Sequence, residues 1–116
     1  MWLFSKHGFF SATQHVNRPG VIHLRARFKG DLENLFKASR ENVKQLLNQE
    51  IVATIHKANA KDLGYYCDLP KDVWTAICAS EAESIDYPYF NNIVKKGSGR
   101  ERAYAKVYET MLDAEE

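Results

Sequence analysis

The stretch Val21-Ile22-His23-Leu24-Arg25-Ala26-Arg27-Phe28-Lys29 alternates without a break. Ile22, Leu24, Ala26 and Phe28 fall on one side of an extended chain, and Val21, His23, Arg25, Arg27 and Lys29 on the other. Successive side chains of a strand point to opposite faces, so this period of two predicts a strand with one face on a core and the other toward water or a partner. Half-buried strands of this kind belong to antiparallel sheets, since parallel sheets are covered on both sides and read as continuous apolar runs. The chain is thereby committed to a sheet with one wet face.

The flanking sequence supplies partners for that strand. Residues 2–14, rich in Trp, Leu, Phe and Thr, predict a preceding strand with Gly8 in its middle, at a bulge or a close backbone approach. Asn17-Arg18-Pro19-Gly20 between the two has turn chemistry, proline presetting φ and glycine admitting φ > 0, so a hairpin is expected. After it, Gly30-Asp31 ends the strand and Asp31 is placed as N-cap of a helix in which Leu32, Leu35, Phe36, Val43, Leu46 and Leu47 recur at helical spacing.

Ile51 to His56 reads two ways. Four β-branched residues among six favour a strand, whereas Leu47, Ile51, Ile55 and Ala58 continue the helical stripe. A loop from Lys57 to Asp62 leads to a strand over Leu63–Leu69. Pro70 suits the first turn of a second helix carrying Val73, Trp74, Ile77, Cys78, Ala82 and Ile85 on its apolar side. Pro88 interrupts that pattern, and a short helical turn with Tyr89, Phe90, Ile93 and Val94 follows. Lys95 to Arg100 reads as a loop, Ser98-Gly99-Arg100-Glu101 as a capping box, and Ala103, Tyr104, Val107, Tyr108, Met111 and Leu112 as the stripe of a last helix. The order ββαββαα predicts an α+β fold, a four-stranded antiparallel sheet covered by helices on one face, in a single domain over residues 1–116.

Several pieces of the chain resemble a known group. Trp2-Leu3-Phe4 followed by Gly8-Phe9-Phe10-Ser11, the Arg25-Ala26-Arg27 strand, Ile85-Asp86-Tyr87 before Phe90, and Arg102 with Tyr104 to Met111 resemble short bacterial proteins that begin MWLF…GFFS, for which no activity is established. Where that group has Asp-Asn-Phe-Lys, this chain has Pro88-Tyr89-Phe90-Asn91. The resemblance implies a common fold and adds no function.

Charge is unevenly placed. Residues 1–30 hold five Lys/Arg and no Asp or Glu, so the first 30 residues carry about +5 and the rest about −4 within a net charge of +1. Such asymmetry either steers polyanions to one face or lets the two parts attract each other. The first option makes Lys6, His23, Arg25, Arg27 and Lys29 a candidate nucleic-acid-binding set, with Trp2, Phe4, Phe9 and Phe10 as rings on which bases could stack. The second makes the same residues a solvated or internally paired face. A sharper alternative is a metal-independent ribonuclease drawing on His7, His23, Arg25, Arg27 and Tyr65. A third is a protein-interaction or homodimerising subunit, since six tyrosines and two tryptophans exceed what a small core absorbs without polar partners.

Other chemistries find no motif. There is no G-x-S-x-G, no P-loop and no dinucleotide turn, and His7, His15, His23 and His56 have no metal-ligand spacing, so neither a cofactor nor a metal is expected. Cys67 and Cys78 read as small core hydrophobes. The opening apolar run, broken by Ser5, Lys6 and His7, is shorter than the ~20 residues a bilayer requires and lacks signal-peptide form, so no membrane association and a cytoplasmic location are expected.

Overall fold

A computed structural model describes residues 1–59, 63–94 and 99–115, and the chain divides into two compact units, Met1–Ile85 and Asp86–Glu116. The first is α+β. Its strands β1 (Trp2–Ser5), β2 (Gly8–Gln14), β3 (Val21–Ala26), β4 (His56–Lys57) and β5 (Tyr65–Pro70) form one antiparallel sheet in the order β1-β2-β3-β5-β4. Helices α1 (Lys29–Leu47) and α2 (Lys71–Glu83) pack on each other and on β2, β3 and β5.

Five strands stand where four were expected, because residues 2–14 are a hairpin and not one strand. Ser5 pairs with Gly8, leaving Lys6 and His7 as a two-residue turn. Gly8 takes φ +147°, and a Cβ built there would lie 2.9 Å from the Cβ of Asp31 and 2.5 Å from its carboxyl carbon. The close approach read at Gly8 is real, and α1 is what approaches. The Asn17–Gly20 turn forms as expected, with Gly20 at φ +77°.

The core lies between sheet and helices. Phe10, Ala12, Ile22, Leu24, Ala26, Cys67 and Leu69 from the strands meet Leu32, Leu35, Val43, Val73, Trp74, Ala76 and Ile77 from the helices in one buried cluster. β3 ends at Ala26, three residues before the alternation does. Phe28, placed in the core by its parity, is extended backbone just before α1 and is 53% exposed. The helix starts at Lys29, so Asp31 is a buried first-turn residue and not the N-cap. There its charge still favours the helix N-terminus.

Asn48 stops α1 with φ 53°, its N–H donating to the Lys44 carbonyl at 2.8 Å, which prevents the helical stripe from continuing into Ile51. Residues 51–55 are neither helix nor strand. Ile51, Ala53 and Ile55 pack on the core while Val52 and Thr54 face out, so the period of two survives as packing, and only His56 and Lys57 pair with β5. Pro70 closes β5 and is the residue before α2.

In the second unit Phe90–Asn92 form a 3-10 turn after Pro88, and α3 spans Gly99–Leu112. The Phe90 and Tyr104 rings stack at 5.7 Å. No residue of α3 is buried. The Lys95–Ser98 part of the expected loop, and with it the Ser98 cap, lies outside the described residues. Among the described residues no helix is long and apolar enough to cross a membrane.

Candidate nucleic-acid interface

The pairing registers place alternate residues on the sheet face turned away from α1 and α2. Reading across the strands, one rank runs His56, Tyr66, Arg25, Ser11, Trp2, and the adjacent rank runs Asp68, His23, Thr13. On the other side of the first rank Phe9 pairs with Phe4. This ordering follows from period-two geometry alone, since each core residue on β1, β2, β3 and β5 is flanked by residues that must face away from it.

At one end the face is aromatic. Phe4 stacks on Phe9 at 4.5 Å between ring centroids, Trp2 meets Phe9 edge-on at 5.9 Å, and Trp2 remains 72% exposed. At the other end Tyr66 lies between two imidazoles, 5.2 Å from His23 and 5.1 Å from His56, the latter stacked. Arg25 sits in the rank between these groups, half-buried, with its Nη2 3.5 Å from the Ser11 hydroxyl oxygen.

Asp68 organises the histidines. Its Oδ1 lies 2.9 Å from His23 Nδ1, and its Oδ2 is 3.8 Å from both His15 Nε2 and Arg18 Nη1. A carboxylate only accepts, so His23 carries a proton on Nδ1, and Nε2 is the acceptor whenever the ring is neutral. His15 is held differently, its Nδ1 accepting the Asn17 N–H at 3.1 Å. Among the described residues no group of three or more His, Cys, Asp or Glu is arranged to hold a metal ion.

The structure brings only part of the expected set together. His23 and Arg25 occupy neighbouring ranks, with His23 tied to Asp68 from the acidic part of the chain. Arg27 lies beyond the end of β3, exposed, its guanidinium 6.0 Å from the Phe28 ring centroid, and Lys29 is the first residue of α1. Lys6 is in the β1–β2 turn and donates to the Ser84 carbonyl just past α2, at 3.0 Å. Phe10 is fully buried in the core, and Tyr65 packs against the core beside it. Tyr66, Asp68 and His56 were not legible as site residues. The signal for Tyr66 and Asp68 is the parity of β5, which assigns faces only once Cys67 and Leu69 are known to be the buried pair, and His56 on β4 is placed by its pairing with Tyr66.

His7 belongs to a separate polar cluster. Its Nδ1–H is shared by the two oxygens of Glu81 at 2.8 and 2.7 Å, the Ser5 hydroxyl donates to Oε1 at 2.8 Å, and the His7 backbone N–H donates to Ser5 Oγ at 3.1 Å. The Glu81 side chain is 4% exposed. Since Ser5 and His7 both donate to the carboxylate, Ser5 is not activated by the imidazole, and the cluster fastens the hairpin turn to the end of α2.

Comparison of the chain with family models, with curated proteins and with solved structures finds no match.

Proposed function

We propose that the chain binds single-stranded nucleic acid through the sheet face made by β1, β2, β3 and β5. The observation that supports this is the placing of Arg25 in one rank between the Trp2–Phe9–Phe4 rings and the His23–Tyr66–His56 rings. Aromatic faces stack on any base, and a guanidinium between them meets the backbone phosphate. With Lys6, Arg27 and Lys29 placed elsewhere and Asp68 drawing on His23, His15 and Arg18, the reading shifts weight from charge to stacking.

That shift is measurable by fluorescence anisotropy with a labelled single-stranded oligonucleotide. Trp2→Ala and Tyr66→Ala are each expected to weaken binding by about 1–3 kcal/mol. Each phosphate neutralised contributes roughly −0.7 to the salt slope for a single strand, so a face with one or two phosphate contacts gives a slope near −1. Binding that falls with Lys6→Ala or Lys29→Ala but not with Trp2→Ala would overturn the assignment, as would no binding at all.

One observation favours a second reading, a protein partner. Tyr108, Met111 and Leu112 of α3 are each 67% exposed. Concentration-dependent mass in light scattering that is abolished by Met111→Ser/Leu112→Ser would support self-association through that helix, and a constant monomer mass would remove it.

A further inference from the structure

We propose that this face also cleaves RNA, by transesterification at a phosphodiester lying across the exposed edges of the His23, Tyr66 and His56 rings. The inference rests on the nucleic-acid reading above and adds a substrate class, ribose-containing strands, and a reaction.

Three features carry it. His23 is held by Asp68 at 2.9 Å through Nδ1–H, which leaves Nε2 as the acceptor of the neutral ring, with side chains 30% and 24% exposed, so a ligand reaches them. Arg25 follows two residues along the same strand on the same face, roughly 7 Å away, where a guanidinium meets a phosphate whose ribose lies at His23. Tyr66 stands between His23 and the exposed His56, at 5.2 and 5.1 Å, so a second imidazole lies on the far side of the Tyr66 ring, within the span of one nucleotide step.

The step balances with these groups alone. His23 Nε2 takes the proton of the ribose 2′-OH, and the 2′-oxygen forms a bond to phosphorus. The P–O5′ bond breaks, and protonated His56 gives its proton to the departing 5′-oxygen. Arg25 stabilises the charge gathering on the non-bridging oxygens. The products are a 2′,3′-cyclic phosphate and a 5′-hydroxyl. Asp68 is a positioning residue, acting through the His23 ring. His15 is not assigned a proton transfer, because Nδ1 already accepts the Asn17 N–H and Nε2 points to Asp68.

The test uses the full chain with chelator present, a mixed-sequence RNA oligonucleotide, its 2′-O-methyl counterpart, and a nucleoside 3′-phosphate nitrophenyl ester whose leaving group needs no acid. Binding of both oligonucleotides with cleavage of the RNA alone, to cyclic phosphate ends, is expected. His23→Ala should lower turnover of RNA and of the nitrophenyl ester by about 10²-fold or more. His56→Ala should lose RNA cleavage and keep the nitrophenyl reaction, and Asp68→Asn should lower kcat on both with KM unchanged. Binding of both strands with no cleavage overturns the catalytic proposal and leaves the binding reading standing, whereas binding of neither overturns both. Cleavage that persists in His23→Ala, or a nitrophenyl reaction lost in His56→Ala, overturns the assigned roles.

Discussion

Replacing Gly8 by alanine tests how tightly the β1–β2 hairpin is seated on α1. Two separate effects oppose the methyl group. The backbone stands at φ +147°, a conformation that costs a side-chain-bearing residue about 1–3 kcal/mol. The added Cβ would also lie 2.9 Å from the Cβ of Asp31, well inside the ~3.5–4.0 Å at which carbon atoms pack. Asp31 is 5% exposed and sits in the first turn of α1, so relief requires moving the helix, an overpacking of about 1–3 kcal/mol. Gly8→Ala is thus expected to lose roughly 2–6 kcal/mol in urea unfolding followed by circular dichroism. Two other glycines separate the effects. Gly20 has φ +77° with nothing within 4 Å of a built Cβ, so Gly20→Ala should show the torsional part alone, about 1–2 kcal/mol. Gly30 lies within α1 with open space around it, and Gly30→Ala should stabilise by up to about 1 kcal/mol. A Gly8→Ala protein no less stable than Gly20→Ala would refute the close approach of Asp31.

Glu81→Leu leaves the buried Ser5 hydroxyl and the part-buried His7 ring N–H without their acceptor, at about 1–3 kcal/mol for the buried hydroxyl, and exchange of the His7 backbone N–H, which Ser5 Oγ accepts, should quicken as that hydroxyl loosens; unchanged exchange would show that the turn is not held by this carboxylate. Burial, and secondarily the neighbouring Asp68, push the Cys67 thiol up to about 12, so its stabilising share is complete below the ordinary thiol range and is lost as pH rises from about 9 toward 12, by up to ~1.4 kcal/mol per pH unit. Cys67→Ala should flatten that part of the stability curve, and an identical slope in the variant would refute it. In the folded protein at neutral pH, a thiol reagent should modify the half-buried Cys78 slowly and Cys67 only on unfolding, even though burial and then Glu81 raise the Cys78 thiol as well; equal rates at the two cysteines would contradict their placement.

Period and spacing in the chain were enough to determine the half-buried strand at Ile22, Leu24 and Ala26, the Asn17–Gly20 turn, both core helices and the α+β class, because each of these is set by interactions within a few residues. The same local logic also identified His23 and Arg25 as facing away from the core. It failed where a distant element intervenes. Residues 2–14 divide into two strands at the Lys6–His7 turn, where Gly8 lies against Asp31 of α1, and the alternation at Arg27–Lys29 gives way to the start of α1 at Lys29. Ile51–Ile55 keep a strand's pattern without a strand's pairing, since they pack on the core and leave the ladder to His56 and Lys57. Which tyrosine reaches the candidate site, Tyr66 and not Tyr65, depends on the register of β5 against β3, and a shift of one residue would exchange them. The pairing of Asp68 with His23 and the shelter of Glu81 beneath His7 join residues 45 and 74 positions apart. Contacts at such separations have no local signature, so only the folded chain decides where its charges and rings come together.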